Sequence, residues 1–433
     1  MLARLDVRGI DGDLRAALAR PDAAGSDVAA SVRAILTDVR ARGDAAVREL
    51  TARFDGVEIE ELGVPARAVQ AALDDVGPGL VAALELARDQ IIAWHEAQRE
   101  KEARHERLGI EVQEHVVPVD RAGCYVPGGR AQYPSSVLMT AIPARIAGVA
   151  DVALCVPPGP DGEVPAAILA AAALAGVDHV YRVGGAQAIA ALAYGTETIA
   201  PVDVIVGPGN AYVAEAKRQV VGTVGIDGLA GPSEVVVVAD STVEPEWVAV
   251  DLLAQAEHGP GGAAVLVTWD PAVADDVDAA LTALAADAPR RADIESTLAT
   301  GGRIVLVDDA AAAVDVANAI APEHLELLTE DPDALVPLVR NAGAVFCGPW
   351  APAVLGDYAA GVNHVLPTAR TARFASALRV DTFRKHIHVV RATEDGLAGA
   401  ARHVEALAAV EGLDAHRASI AIRQRTAQRQ ATP

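Results

Sequence analysis

DVALCVPPGPDGEVPAAILAAAALAGVDHVYRVGGAQAIAALAYG, residues 151–195, sets the architecture of this chain. DVALCV (151–156) is a six-residue apolar run closed by Pro157–Pro158–Gly159, the size and punctuation of a buried strand. VPAAILAAAALAGV (164–177) is Ala- and Leu-rich and reads as a buried helix. VYRVGG (180–185) is a second short run, and AQAIAALAYG (186–195) a second helix. Strand, helix, strand, helix at this spacing is the signature of βα units and a parallel sheet. Further along, VDVIVGPGN (202–210) precedes AYVAEAKRQVVG (211–222), and EVVVVAD (234–240) precedes EPEWVAVDLLAQAEH (244–258). AAVLVTWD (263–270) and GRIVLVDD (302–309) each precede another helical stretch. The alternation covers roughly 150 to 348; periodicity leaves open whether it builds one sheet or two.

Outside this block the pattern changes. Residues 27–43, 66–76 and 80–101 have helix-period apolar positions and many charges, with Gly77–Pro78–Gly79 separating the last two. IEVQEHVVPV (110–119) alternates as a strand, and GCYVPGG (123–129) reads as a turn. Residues 356–373 are Gly-rich and polar, as expected of a functional loop. The last stretch, about 50 residues, reads as helical and basic.

The 433 residues suggest two to three domains. Hydrophobic residues make up 52% and aromatic ones only 3%, so the core must be built from Ala, Val, Leu and Ile. A net charge of −23 repels phosphate backbones and anionic lipid, which excludes nucleic acid and membrane surfaces as expected partners. The longest apolar stretch is too short to span a bilayer. MLARLDVRGIDGD at the start carries charges where a signal peptide needs an apolar run. Three widely spaced cysteines, Cys124, Cys155 and Cys347, fit neither a disulfide framework nor a zinc knuckle. A soluble protein of the reducing cytoplasm is expected, with its cysteines as small buried hydrophobes.

The chemistry-bearing positions are ambiguous one by one. VGG (183–185) and GPGN (207–210) sit between a strand and a helix, where backbone N–H groups can hold an anion, yet ordinary tight turns look the same. No GxGxxG follows any strand. Gln255 and His258 share a helix face near its end; alone, a polar helix terminus is the simpler reading. Glu323–His324 offers two proton acceptors of different basicity, or a solvated chain end. Asp357 and His364 share one loop, where ligation and turn chemistry compete. Glu411 and His416 lie near the end and read alone as surface residues.

Taken in order, GCYVPGGRAQYPSSVLM, VGGAQAIAALAYGT, VGPGNAYVAEAKR, GPSEVVVVAD, AQAEHGPGG, APEHLEL, GDYAAGVNHVLPT and EGLDAHR closely resemble the histidinol dehydrogenase family, over residues 25 to 420. The resemblance implies an α/β fold of two incomplete Rossmann-like domains, aldehyde-dehydrogenase-like, with small N- and C-terminal extensions. It groups 26–124 with 237–378 as a larger domain carrying the metal site. It makes 125–236 the NAD-contacting domain, 1–25 an extension, and 379–433 a segment reaching a partner subunit.

It further implies oxidation of L-histidinol through L-histidinal to L-histidine with two NAD, the last steps of histidine biosynthesis. One zinc per subunit would be held by Gln255, His258, Asp357 and His416. Glu323 and His324 would be the catalytic acid–base pair. Substrate contacts map to Ser233, His324, His364 and Glu411 besides the metal ligands, and NAD contacts to Tyr125, Gln187 and Asn210. The family is a homodimer with sites shared between subunits, so His416 and Glu411 would serve the partner's site.

Overall fold

The computed structural model describes residues 1–9, 14–18, 26–99, 102–128, 131–259 and 261–430. Gly129, Arg130 and Pro260, which belong to two of the motifs, fall outside them, as do parts of the N-terminal extension and the last three residues. The chain divides into two units. One comprises Met1–Gln98 and Val119–Phe383, the other Arg99–Pro118 and Arg384–Pro433.

The first unit holds two six-stranded sheets. In one, the order is Ala3–Asp6, Gly302–Leu306, Ala263–Thr268, Glu234–Ala239, His324–Leu328 and Ala344–Cys347, all parallel. In the other it is Gly63–Val64, His179–Arg182, Asp151–Val156, Arg121–Tyr125, Val204–Val206 and Gly225–Ile226, parallel but for the antiparallel Gly63–Val64 edge. Each is wound in both directions from a middle strand, with helices on both faces. The expected α/β architecture of two Rossmann-like halves is therefore present.

Each sheet is sandwiched between two apolar cores. The first packs Val235, Val237, Leu252 and Leu266 on one face and Val236, Val238, Val314 and Leu325 on the other. The second packs Leu138, Met139, Leu154 and Ile168 on one face and Val32, Val47, Ile189 and Ile205 on the other. Strands buried on both faces must be apolar throughout, which is why EVVVVA and AAVLVT lack alternation. Alanine fills the tight places. Ala186, Ala188, Ala190, Ala191 and Ala193 of the helix Gly185–Tyr194 are all buried, which admits the helices Ser26–Arg42 and Ala211–Val220 beside it.

Several expectations are corrected. GCYVPGG is no simple turn: Arg121–Tyr125 is a central strand, and Cys124 lies within it. Small residues let it fit, since a Cβ on Gly123 would already meet Leu192 at 3.0 Å. The charged helix expected to reach residue 101 ends at Ala97, and Arg104–Arg107 is a strand. Residues expected as an N-terminal extension include the edge strand Ala3–Asp6 of the first sheet. Strand pairing also divides the chain differently from the expected grouping of 26–124 with 237–378. The helices between Ser26 and Ala97 and the strands Gly63–Val64 and Arg121–Tyr125 build the second sheet and its cores.

The second unit is a three-stranded antiparallel sheet, Arg384–Ala392, Ile110–Pro118 and Arg104–Arg107, followed by the helices Glu394–Val410 and Asp414–Gln430. The C-terminal segment expected to be helical thus begins with a nine-residue strand. Thr393 caps the first of these helices, its hydroxyl accepting from the Gly396 N–H at 3.0 Å.

The turn after Val204–Val206 depends on glycine. Gly207 has φ +116°, and a Cβ there would stand 2.0 Å from the Tyr125 carbonyl oxygen. Gly207→Ala is expected to lower the melting temperature by roughly 5 °C or more, through strain and a forced parting of two central strands. An unchanged melt would show that the turn has room the structure denies it.

Candidate active site

The strand His324–Leu328 pairs with Glu234–Ala239 so that Val235 stands opposite His324. That register brings the backbone of Glu234 against both Glu323 and His324. The Glu234 N–H donates to Glu323 Oε2 at 3.1 Å, and the Glu234 carbonyl lies 3.2 Å from His324 Nδ1. A carbonyl only accepts, so Nδ1 carries the proton, and Nε2 keeps a free lone pair. Nε2 faces Asp357, with Oδ1 at 3.8 Å. The ring stacks on Phe346, centroids 6.0 Å apart.

Burial governs the electrostatics here. His324 is pushed down in basicity by burial, an effect the nearby Asp357 carboxylate opposes. A neutral imidazole at neutral pH follows. Burial pushes Glu323 up to about 8, although Glu234 and the Ser233 hydroxyl bond its carboxylate. Asp357 is raised by burial while His324 and His258 draw it down. His364 is forced down to about 4 by burial. Its Nδ1 lies 3.2 Å from the Asp357 carbonyl, and its Nε2 lies 3.1 Å from the Ser136 hydroxyl.

Backbone strain sits beside this pair. Ala321, two residues before Glu323, has φ +52°, a left-handed conformation that costs an alanine about 1 kcal/mol. It ends the helix Ala310–Ile320 abruptly. Gly343 then seals the turn: its N–H bonds the Pro322 carbonyl at 2.9 Å, and a Cβ on it would meet the Glu323 carbonyl at 2.6 Å.

Gln255 ends the helix Pro245–Ala256 and is buried, its amide Nε2 without a hydrogen-bond partner. The two ends of a carboxamide are interchangeable at this level, so either the nitrogen or the oxygen can occupy that unsatisfied position. His258 follows the helix, with Nδ1 3.3 Å from the Gln255 carbonyl, and it lies near enough to influence Asp357, His324 and His364 electrostatically. One unit thus gathers Ser233, Gln255, His258, Glu323, His324, Asp357 and His364. Glu411 and His416 belong to the second unit, both exposed, at the end of the Glu394–Val410 helix and the start of the next. Among the described residues, no group of three or more His, Cys, Asp or Glu is placed to hold a metal ion.

The expected NAD contacts form a second locus. A cavity of about 1560 Å³ is lined by Tyr125, Gln187 and Asn210 together with Gly128, Pro157 and Gly185. It lies off the carboxyl ends of Arg121–Tyr125 and Val204–Val206, adjacent strands whose connections run in opposite directions, where such sheets open a crevice. The buried Gln187 Oε1 has no donor. The Tyr125 hydroxyl accepts from the Gly185 N–H at 3.1 Å. Asn210 caps the helix Ala211–Val220, its Oδ1 accepting from the Tyr212 and Val213 N–H groups.

Sequence reasoning missed several supports. Lys217, 2% exposed, donates to the Gly207 carbonyl at 2.9 Å and pairs with Asp227, which itself accepts from the Gly207 N–H at 2.7 Å. This buried pair pins the GPGN turn. Asn363 ties the His364 loop to the Met139 carbonyl at 2.6 Å. Ser136 and the Glu234 backbone were equally silent: each acts across more than 80 residues, and no local pattern marks them.

This arrangement suits proton abstraction by a neutral imidazole beside a buried carboxyl. The family model for histidinol dehydrogenase matches residues 18–424. The chain belongs to the histidinol dehydrogenase family. A histidinol dehydrogenase of Rhizobium meliloti (strain 1021) is 52% identical over 400 residues, 92% of each chain. One of Bradyrhizobium diazoefficiens is 49% identical over 428 residues, 98% of this chain and 99% of the relative. The crystal structure of histidinol dehydrogenase from Elizabethkingia anophelis superposes with a TM-score of 0.94 at 34% identity, covering 99% of both chains. Membership makes the chain a dehydrogenase of histidine biosynthesis, and no described helix is long and apolar enough to cross a membrane.

None of the three thiols stands in this site's hydrogen-bond network. Burial pushes Cys124 up to about 12 and raises Cys155 further, so neither forms a thiolate at neutral pH. Iodoacetamide applied to the native protein is expected to label at most Cys347 and to leave activity intact. Mass spectrometry and residual rate check this; inactivation with labelling of Cys124 would give the thiol a role.

Proposed function

We propose that this chain oxidises L-histidinol through L-histidinal to L-histidine, with two NAD as hydride acceptors and one zinc ion per subunit, as a cytoplasmic homodimer with shared sites. The observation that carries this reading is His324. Its Nδ1–H is committed to the Glu234 carbonyl, its Nε2 lone pair is free, and Glu323 lies beside it with Oε2 3.6 Å from Nδ1.

The residues fit a zinc ion in chemistry. Gln255 offers an unsatisfied carboxamide, His258 an imidazole and Asp357 a carboxylate raised by burial, a mixed N/O set that suits zinc. His416 would supply the fourth ligand. When bound, zinc supplies a Lewis-acid anchor that orients the substrate's amine and imidazole. NAD, held at Tyr125, Gln187 and Asn210, supplies the hydride acceptor; the orphaned Gln187 oxygen supports that place.

His324 removes the alcohol proton through Nε2 as the substrate carbon gives up hydride. Glu323, once ionised, takes a proton from water as its oxygen adds to the aldehyde carbon, while protonated His324 returns its proton to the carbonyl oxygen and becomes a base again. His324 then takes a proton from the hydrated aldehyde during the second hydride loss, which leaves a carboxylate. Ser233 orients Glu323, and His364 and Glu411 would face the substrate's polar groups. A paralogue acting on another polar alcohol would keep the same base and differ at those contacts.

Purified protein given L-histidinol and NAD is expected to form two NADH per histidine. His324→Ala should slow both oxidations, and Glu323→Gln mainly that of L-histidinal, by about 10²–10⁴-fold. Because burial sets Glu323 near 8, its carboxylate form grows as pH rises. The histidinal half-reaction should accelerate through that range and level off above it. Wild-type histidinal oxidation in Glu323→Gln would sink the assignment.

The shared site rests on exposed apolar surface. Trp350 is 81% and Tyr358 62% exposed in the first unit, and Val410 89% and Leu407 67% in the second, surface that a second copy would cover. Mixing His324→Ala with His416→Ala subunits tests it. Half the dimers would be hybrid, each with one intact site, so activity should recover to about a quarter of wild type. No recovery on subunit exchange would place His416 and His324 of one site in one chain.

A further inference from the structure

The cavity off the second sheet has an acidic side chain in its wall to which the proposed chemistry gives no part. Asp55 lines it together with Tyr125 and Gln187. It is the last residue of the helix Asp44–Asp55, which Gly56 ends in a left-handed turn. A carboxylate at that end meets the negative pole of the helix dipole. Its Oδ2 is buried and has no hydrogen-bond partner among the described residues. Burial pushes Asp55 up to about 6, so at neutral pH it is a carboxylate short of a donor. Dipole, burial and the missing donor all oppose its charge, and a neutral side chain would be easier to place there. An acidic group held against these odds in a cavity wall marks a binding position.

The neighbouring charges are in a different condition. Asp38, in the same wall, accepts two bonds from the Arg42 guanidinium, at 2.7 and 2.6 Å. Arg53 also lines the cavity but is exposed, its guanidinium 5.2 Å over the Phe54 ring. Asp55 is left with the unused acceptor.

On NAD, the pyrophosphate would be repelled by this carboxylate. The donors it could meet are the ribose hydroxyls, the carboxamide and the adenine amine. One end of the cavity wall leads to the catalytic residues: Gln132 lies four residues before Ser136, whose hydroxyl meets His364. Asp55 stands instead with Ser31, Ala34 and Asp38 of the helix Ser26–Arg42. The reacting end of the cofactor belongs with Gln132, which leaves the adenosine end for the helices.

We propose that Asp55 selects NAD over NADP: its carboxylate accepts from the 2′-hydroxyl of the adenosine ribose and repels a 2′-phosphate. This rests on the cofactor site proposed above. A hydroxyl satisfies the buried oxygen, whereas a phosphate would set like charges together where water screens them poorly. In sheets that carry the usual glycine fingerprint an acidic side chain reads the same hydroxyl. This chain lacks the fingerprint, and its acidic group comes from the end of a helix.

The test is direct binding to the full-length protein, by titration calorimetry, of 5′-AMP, 2′-deoxy-5′-AMP, NAD and NADP. Wild type should hold 5′-AMP about 10-fold more tightly than its 2′-deoxy analogue, and NAD at least as far above NADP. In Asp55→Ala the two AMP forms should bind alike, and NAD should lose about 10-fold. Asp55→Asn should narrow the gap between NAD and NADP, because the repulsion goes with the charge. Free of ligand it should melt no lower than wild type, since a carboxyl raised by burial lowers stability once pH exceeds its unfolded value. A lower melt would make Asp55 a structural residue and overturn the proposal. So would equal affinity of wild type for the two AMP forms, the result an amine or carboxamide contact would give. An undiminished preference for 5′-AMP in folded Asp55→Ala would reject it too. Wild-type protein that binds none of the four compounds would sink the cofactor site itself, a different result from equal affinities between two of them.

Discussion

The parallel pairing of Glu234–Ala239 with His324–Leu328 is the constraint on which the site depends. One peptide unit on each side of Glu234 serves both proposed proton-handling residues: its N–H meets Glu323, its carbonyl meets His324. A shift of one residue would turn His324 to the opposite face of the sheet and leave Glu323 without its donor. The strand is held to that register by Gly343 against the Pro322–Glu323 turn and by apolar packing on both faces. The left-handed Ala321 is the cost of turning the chain so sharply before Glu323.

The two sheets share a winding pattern but use opposite ends. In the second sheet the cavity lies off the carboxyl ends of the strands, where divergent connections open a crevice. In the first, Ser233, Glu323 and His324 stand at the amino ends of their strands. Backbone amides at strand ends and burial do there what a helix terminus does elsewhere. They hold Glu323 and His324 in place, and burial keeps both neutral at neutral pH. The whole site is poised by desolvation, which raises Glu323 and Asp357 and lowers His324 and His364. Cations and ligands brought into such a place act at full strength, because water no longer screens them.

Apolar runs such as EVVVVA and AAVLVT announced buried parallel strands directly, since only both-face burial tolerates such composition. The eight ordered motifs carried the proposed site residues because chemistry restricts residue type at each position. Arg121–Tyr125 was misread because Gly123 and Pro127 look like turn residues. Only the neighbouring Leu192 shows that glycine serves close packing there. The grouping of residues 26–124 went astray for a related reason: amphipathic helices show that a face is buried, never against which sheet.

By itself, the sequence determined the alternation of strands and helices, the Ala- and Val-rich core, the inert cysteines and the family. These are local or compositional properties, written in consecutive residues. Tertiary structure alone decided which nitrogen of His324 is free, that Gln255 and Gln187 are left unsatisfied, and that Lys217–Asp227 is a buried pair. Tautomer, desolvation and ion pairing depend on atoms brought together from distant parts of the chain. They exist only once the sheets have assembled and water has been excluded.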